Sequence, residues 1–569
     1  MLNLGHSKWK YYDNDSQLVE SLSQQLEIKP IIIEIILNRG IGNKEDIKKF
    51  LSPTLQYIQK DFCPESIEKA THRVISAIQS KEKIVVFGDY DADGVTGTVV
   101  VYDALKSLGA NVSYYVPFRY TEGYGLNKKA ISNFKKENVS LIITVDCGIS
   151  NVEEIALANE LGIDVIITDH HTPPLQLPKA YAILNPKCEH KDLSVYLAGV
   201  GVAFKFICYL YKQFKGVDIL QNRRYLELVA IGTITDVVPL LGDNRVFVKK
   251  GIEKLNRESS LGLFHLLEQM GGNSVNTTTI GYGIGPRINA AGRLESASVA
   301  IELLMTKDRK KAKEMADELN SLNERRKKEG EKIFLEATKI VEQNSDLLNR
   351  KVIVLSSKEW EPGVIGIVTS QMAKYYERPV VLITTKGDIS RGSIRSFAGI
   401  NIFSSLEKCQ DLLISYGGHK EAAGFEIDPQ KIEEFREQYA SIVHKYLEGE
   451  SLYTVVNIDA VINIEDLNYK LLQDIKLLEP FGEGNREPVF LTKNLNAIDY
   501  SLVGKDRNHL RVLFIQGSEQ IEAIGFKMAG YLPMLESCNT FDVAYNLEDN
   551  SFNGKRRLQL KMLDMKPSQ

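Results

Sequence analysis

Paired thiols are missing from this sequence. Its six cysteines (Cys63, Cys147, Cys188, Cys208, Cys409 and Cys538) are scattered, form no CxxC pair and are few for 569 residues. They signal neither a zinc knuckle nor a disulfide framework and fit a reducing cytoplasm. No run reaches the roughly 18 uncharged apolar residues of a membrane span, and the opening MLNLGHSKWKYYDNDSQ lacks the apolar core of a secretory signal. A soluble, intracellular chain with no membrane partner is expected. An excess of charge is missing too: 70 Lys and Arg against 74 Asp and Glu leave −4, so a polyanion would have to be met by a local basic groove. There is no internal repeat and no low-complexity tract. What is there, 43% hydrophobic and 25% charged residues, is the composition of a globular protein, and at roughly 150 residues per domain it divides into three or four.

Between residues 83 and 239 short apolar runs alternate with helical patterns. Strands are expected at 84–87, 112–116, 141–145, 165–168 and 180–184, with helices at about 96–108, 126–136 and 152–161. Strands apolar on both faces imply a parallel sheet covered on both sides. The first 80 residues read as mixed helical material punctuated by Pro30, Pro53 and Pro64, without assignable chemistry. Residues 306–343 contain no proline and one glycine, and read as a long connecting helix whose interleaved acids and bases form a solvated face. A second α/β unit has strands at 352–355 and 380–384, helices at about 364–375 and 430–444, and turn-rich chain through Gly417 and Gly418. After Gly449 short strands separated by turns suggest a small β barrel, with Phe481 and Phe490 in its core.

The first apolar strand runs into Gly88-Asp89-Tyr90-Asp91-Ala92-Asp93-Gly94. In extended chain these alternate acids would point one way, and a bound cation would relieve their repulsion. A DxDxDG run also opens a calcium-binding EF-hand, but the twelfth position from Asp89 is Val100, not the bidentate Glu such a loop needs. The next strands end at Asp146 and at Asp169-His170-His171, and Asp236 adds an acid inside an apolar stretch. Ligands of parallel α/β sheets sit at the carboxyl ends of strands, so these loops are expected to converge. A single Asp at a strand end is usually a turn or cap residue, and a lone His is usually structural. Recurrence at comparable points of successive β-α units favours a metal site, because buried acids without a cation are costly. Carboxylates and imidazoles without thiolate suit Mn²⁺ or Mg²⁺, and the ligand number implies two divalent ions, able to activate water and clamp a phosphoryl group. Metal-assisted phosphoester or phosphoanhydride hydrolysis is the expected chemistry.

Arg119, Arg287, Arg293 and Arg395 lie in turn-rich segments, and their planar donors suit phosphate. Tyr416-Gly417-Gly418-His419-Lys420 combines small residues, which let backbone approach a polyanion, with side-chain donors.

GDYDADG, TVDCG, TDHH and the later Asp236 resemble the motifs of the DHH phosphoesterase superfamily. VPFRYTEGYGL, LNPK, AGVGVAFK, GYGIGPRINAAGR, WEPGVIGIVTSQ, GSIRS, YGGHKEAAGF and LEPFGEGNREPVF extend the resemblance, in order, to the bacterial RecJ family. That resemblance implies an α/β multidomain fold. An N-terminal segment (1–79) would pack on a parallel-sheet DHH catalytic domain (80–300). A connecting helix (301–346), an α/β DHHA1 domain (347–447) and a nucleic-acid-binding OB-fold barrel (448–569) would follow. It implies metal ligation or catalysis by Asp89, Asp91, Asp93, Asp146, His170, His171 and Asp236. A 5′-phosphate pocket would involve Arg119, Ser393 and Arg395, with Arg287 nearer the scissile phosphate and Arg293, Gly418, His419 and Lys420 as further DNA contacts. The implied activity is 5′-to-3′ hydrolysis of single-stranded DNA in repair and recombination, by a monomer with a single-strand-binding protein and a helicase as partners. Two rivals remain open: a small-substrate DHH enzyme acting on short or cyclic oligonucleotides or pyrophosphate, and a silent DNA-binding scaffold. The first has no need of a barrel or long helix, and the second would have lost ligand positions that are all present.

Overall fold

The computed structural model describes residues 7–58, 62–119, 122–189, 196–220, 223–272, 274–448, 453–552 and 555–568. The chain opens with strand β1 (Lys8–Tyr11) and helices α1 (Ser16–Leu26), α2 (Pro30–Leu37), α3 (Lys44–Leu51) and α4 (Pro64–Gln79). Proline begins α2 and α4, where its missing N–H would have had no helical partner, and the side chains of Asp15 and Asn43 cap α1 and α3.

A parallel sheet follows, built from β2 (Lys83–Gly88), α5 (Ala92–Ser107), β3 (Asn111–Tyr115), α6 (Lys128–Lys136), β4 (Val139–Val145), α7 (Val152–Glu160), β5 (Asp164–Thr168) and β6 (Ala182–Leu184). Its order is β3-β2-β4-β5-β6, so the winding reverses between β2 and β4 and leaves a crevice beyond their carboxyl ends. The unbroken Ile and Val runs are buried on both faces, as the sequence requires: α5 covers one side, α6 and α7 the other. Helix α5 begins four residues before its expected start, because Asp91 caps it through the N–H groups of Asp93 and Gly94. The three acids are therefore not an extended run. Asp89 leaves the strand, Asp91 caps the helix and Asp93 sits in its first turn.

The unit is completed by α8 (Pro186–Glu189), α9 (Gly199–Lys215), α10 (Leu226–Thr235), α11 (Gly242–Arg257), α12 (Leu261–Gln269), α13 (Thr277–Thr279), α14 (Gly285–Leu294) and α15 (Ser298–Met305). A π-helical turn, Ile280–Ile284, joins α13 to α14. Helix α16 (Arg309–Glu342) has 34 residues, a rod of about 50 Å, capped by Asp308.

Beyond it lie α17 (Ser345–Asn349), β7 (Ile353–Ser357), α18 (Pro362–Tyr376), β8 (Val380–Thr384), β9 (Ser390–Arg395), α19 (Ile402–Glu407), β10 (Leu413–His419), β11 (Ala422–Ile427) and α20 (Ile432–Tyr446). The sheet order is β10-β11-β9-β8-β7, with only β7 and β8 parallel. The stretch through Gly417 and Gly418 is thus an edge strand, not turn-rich chain; two residues without side chains hide the alternation that would have announced it.

Strands β12 (Val455–Ile458) and β13 (Ala460–Val461) and helix α21 (Tyr469–Lys476) lead to β14 (Phe490–Val503), β15 (His509–Gln516), β16 (Glu519–Gly525), α22 (Leu532–Ser537), β17 (Thr540–Phe552) and β18 (Lys555–Pro567). Pairing runs β14-β15-β16-β18-β17 and returns to β14, closing a five-stranded barrel. Phe490 is in its core, while Phe481 is partly buried at its edge.

The expected packing of the N-terminal segment needs correction. Residues of α1, α2 and α3 share the barrel's hydrophobic core, and β1 pairs with β12. The stretch from Leu55 through α4 packs on the parallel-sheet unit, which Phe50 of α3 also touches through Arg245. The reason is compositional: the apolar α2, PIIIEIIL, needs cover on several sides, and the barrel with α21 provides it. Arg39 and Asp459 form a buried ion pair across this junction.

Arg245, 2% exposed, ties three parts together. From α11 it donates to the carbonyls of Phe50, Leu477, Glu479 and Pro480 and lies over the Phe50 ring at 3.7 Å. Burial pushes its guanidinium down to about 9, a cost that the fan of carbonyl acceptors offsets. Arg245→Met should leave those carbonyls unsatisfied and destabilise the junction by about 3 kcal/mol. Hydrogen exchange of the 477–485 loop measures this, and unchanged protection there would show that the fan contributes nothing.

Candidate metal centre and cleft

Three strand-end loops and one helix end meet at the crevice. Asp146 follows β4 in a left-handed conformation (φ 61°) and is 2% exposed. His170, following β5, places Nε2 3.2 Å from Asp146 Oδ1 and 3.4 Å from Asp236 Oδ2, at the carboxyl end of α10. His171 Nδ1 is 3.8 Å from Asp146 Oδ1. Potential ligand atoms lie within 4.8 Å of one another in three overlapping groups: Asp89, Asp91 and Asp146; Asp146, His170 and His171; and Asp93, His170 and Asp236. All seven expected residues are brought to one place. Asp236 arrives from a helix end rather than a strand end.

The surroundings hold these side chains from behind. Asp93 accepts from the N–H groups of Gly199 (2.6 Å) and Val200 (2.9 Å), at the positive end of α9. Asp169, which the sequence reading left without a role, accepts from Ile149 N–H, from the backbone of His170 and His171, and from His171 Nδ1 at 2.8 Å, so it fixes the loop and that ring. Tyr124 donates to the Asp146 carbonyl at 2.9 Å and sits 3.2 Å from His171 Nδ1. Asn185 holds the His171 carbonyl, and Asn289 caps the Ala92 N–H. A methyl group on Gly199 would lie 2.5 Å from Asp146 Oδ1, and one on Gly232 2.7 Å from Asp93 Oδ1, so only glycine leaves room for the acids. Tyr124, Asn185, Gly199 and Asn289 lie inside the quoted motifs, but nothing in their residue types separates them from turn and packing residues.

Several buried atoms of this cluster lack any hydrogen-bond partner: Asp89 Oδ1, Asp146 Oδ1, His170 Nε2 and Asp236 Oδ2. Orphaned buried acceptors on crowded acids are costly, and a divalent cation satisfies both burial and repulsion. Oxygen and imidazole donors without thiolate fit Mn²⁺ or Mg²⁺. Burial, then Asp91, raises Asp89 well above the usual carboxylate range. Burial, then Asp93, does the same to Asp146 and Asp236, and burial, then Asp91, pushes Asp93 up to about 7. Burial and the neighbouring His171 hold His170 down to about 3, a neutral imidazole able to ligate. Burial opposes the charge of His171, but the hydrogen bond to Asp169 together with the negative charges of Asp169, Asp89 and Asp91 outweighs it and raises that ring above its ordinary value. Lys187, in LNPK, brings positive charge within reach of Asp236 and Asp169, and burial lowers its ammonium.

Beside the cluster is a cleft of about 850 Å³ between the parallel-sheet unit and the second α/β unit. Arg119, Arg293, Ser393, Arg395, Gly418 and His419 line it. Arg119 stacks over Tyr90 at 5.0 Å, and Arg395 donates to Ser370 and to its neighbour's carbonyl. Burial, then the like charge of Arg119, lowers Arg395. Among the described residues neither guanidinium forms an ion pair, the arrangement of an anion site. Arg293 reaches the Gly363 carbonyl across the cleft. Arg287 and Lys420 are not in its lining: Arg287 is held by Asn320 of α16 and the Gly283 carbonyl, and Lys420 is exposed in the β10–β11 turn.

With this geometry in view, the comparisons with known proteins decide the family. Residues 83–233 match the DHH family, N-terminal domain; residues 349–445 match the DHHA1 domain; and residues 458–564 match the RecJ OB domain. The chain is 36% identical to the single-stranded-DNA-specific exonuclease RecJ of Bacillus subtilis, over 98% of this chain and 70% of that one. The chain belongs to the RecJ family. The RecJ of Haemophilus influenzae is 35% identical, over 93% and 95% of the two chains. The crystal structure of Thermus thermophilus RecJ with Mn²⁺ superposes with a TM-score of 0.86 at 31% identity, over 99% of this chain and 80% of that one. The same protein with Mg²⁺ gives 0.78 at 29% identity. Among the described residues no helix is long and apolar enough to cross a membrane.

Because the unfolded chain ionises its aspartates near pH 4, the metal-free RecJ fold binds the additional protons between about pH 4 and 7 and loses stability as pH rises through that window. In chelator the unfolding midpoint should fall from pH 5 to pH 7. At pH 7, Mn²⁺ at 100 times its Kd should restore about 2.7 kcal/mol, read as a rise in that midpoint. A midpoint indifferent to Mn²⁺ would remove the metal site.

Proposed function

We propose that this chain is a metal-dependent exonuclease that hydrolyses phosphodiester bonds of single-stranded DNA in the 5′-to-3′ direction, in the repair and recombination of DNA in the cytoplasm. The carrying observation is the convergence of five aspartates and two histidines beside a cleft into which Arg119 and Arg395 bring their guanidiniums. The names of the relatives, single-stranded-DNA-specific exonucleases, supply the substrate. The three family matches, with α16 between the first two, support a reading of the chain as a catalytic domain at 80–300, a connecting helix at 301–346, a DHHA1 domain at 347–447 and an OB domain at 448–569.

Asp89, Asp91, Asp93, Asp146, His170, His171 and Asp236 hold two divalent cations, Mn²⁺ or Mg²⁺. Asp146 and His170 each belong to two of the three ligand groups. When bound, the cations supply Lewis-acid polarisation of the phosphoryl group and activation of water. The protein's own part is placement. Arg119, Arg395 and Ser393 receive the terminal 5′ phosphate, with Arg293, His419 and the Gly418 backbone along the cleft and Lys420 as a further contact from the exposed β10–β11 turn. Arg287, held rigid by Asn320, stands nearer the bond to be cut. Asp169 and Tyr124 orient His171 and the Asp146 loop. The barrel extends the contact along the strand. The chain acts as a monomer, with a single-strand-binding protein and a helicase as partners in the cell.

Asp146→Ala should lower hydrolysis of end-labelled single strands by at least about 10³-fold while strand binding persists, and chelator should do the same to the wild type. Arg395→Ala should weaken action on 5′-phosphorylated strands by roughly 10-fold or more, with little change on 5′-hydroxyl strands. Label released from the 3′ end first, or faster turnover of a dinucleotide than of a long strand, would overturn the reading.

A further inference from the structure

A second cavity, of about 520 Å³, lies beside the acid cluster. Thr235 and Val237, which bracket Asp236, line it, and so does Asn289, whose side chain caps α5 beside Asp91. Helix α14 places Asn289 in this cavity and Arg293, one turn on, in the cleft, so both spaces open along one face of a helix that meets the start of α5 beside Asp91.

Apolar side chains form part of its wall, beside Thr235, Thr277, Thr278 and Asn289. Tyr282, at the centre of the π-helical turn, is 84% exposed and has no partner ring among the described residues. Val237 is 65% exposed and holds φ at 59°, a conformation that β-branched residues avoid and that persists where function requires it. Phe481 closes the far side, on a loop fixed by the Leu240 N–H donating to the Glu483 carbonyl. A large aromatic face left in water costs stability, and a strained valine beside a catalytic acid costs more. At the rim Glu483 is paired with Arg486 at 3.3 Å and burial raises the Glu487 carboxyl, so the lining offers phosphate no unpaired cation, and what the apolar part of the wall accepts is a neutral ring.

We infer that Tyr282, with Val237 and Phe481, forms a stacking site for the nucleobase immediately 3′ of the cut. The inference rests on the proposed function in one respect: with the 5′ phosphate at Arg395 and the reacting bond at the cluster, the strand continues toward this cavity. Stacking uses a face that every base has, so the site grips without reading sequence. Tyr282 is a positioning residue. It registers the strand so that the phosphate, not the base, sits over the acids.

The test uses the full chain on 5′-phosphorylated strands, intact or with a single abasic nucleotide at each of the first four positions. On the intact strand Tyr282→Ala should raise KM roughly 5- to 100-fold, the range of one lost base–aromatic stack, with Tyr282→Phe restoring it. Wild type should show the same loss on the strand abasic just beyond the cut, and Tyr282→Ala should add nothing further there. In chelator, where no cutting occurs, 2-aminopurine at that position should be quenched by wild type and Tyr282→Phe but not by Tyr282→Ala. An equal loss for Tyr282→Ala on intact and abasic strands, or identical quenching by wild type and Tyr282→Ala, would overturn the inference. Wild-type digestion of the intact strand from its 5′ end reports separately on the proposed function.

Discussion

Repulsion among buried carboxylates organises this molecule. Asp89, Asp93 and Asp146 are each under 5% exposed, and Asp236 faces the same point. No arrangement of protein dipoles satisfies them all: two amides at the start of α9 neutralise part of Asp93, while oxygens of Asp89, Asp146 and Asp236 stay unpaired. The fold accepts that cost because the sheet, α5, α9 and α10 are packed too tightly to let the acids separate, with glycines at 199 and 232 where any side chain would strike them. Divalent cations turn this concentration of negative charge from a liability into an anchor.

A second constraint is the division of labour between charge types. Negative groups collect on the loops of the parallel sheet, whereas the guanidiniums of Arg119 and Arg395 lie across the cleft from one another, from different units. A net charge of −4 hides this separation. The rigid α16 sets the distance between the two fields, and its contacts with Arg287 through Asn320 couple the rod to the site.

Much of this was legible in the chain. The parallel sheet, the long helix and the barrel follow from periodicity and from runs of apolar residues, and the acids and histidines were located because they terminate such runs. The geometry by which they converge was not. Alternation suggested an extended Asp89-Asp91-Asp93, but Asp91 caps a helix, since a free carboxylate facing two bare N–H groups wins over continued strand. The strand holding Gly417 and Gly418 was hidden by its lack of side chains. Asp169 was passed over because a hydrogen-bonding Asp and a metal-binding Asp look alike in sequence. The attachment of α1, α2 and α3 to the barrel could not be read locally, since their partners lie more than 400 residues away.

That last arrangement has a temporal side. Strand β1 and the isoleucine-rich α2 leave the ribosome long before β12 and the barrel that cover them. At 5–20 residues per second the gap is roughly 20–90 s. Throughout it the apolar faces of α2 lack their native cover, and a premature stop in the barrel would leave the opening helices without it as well.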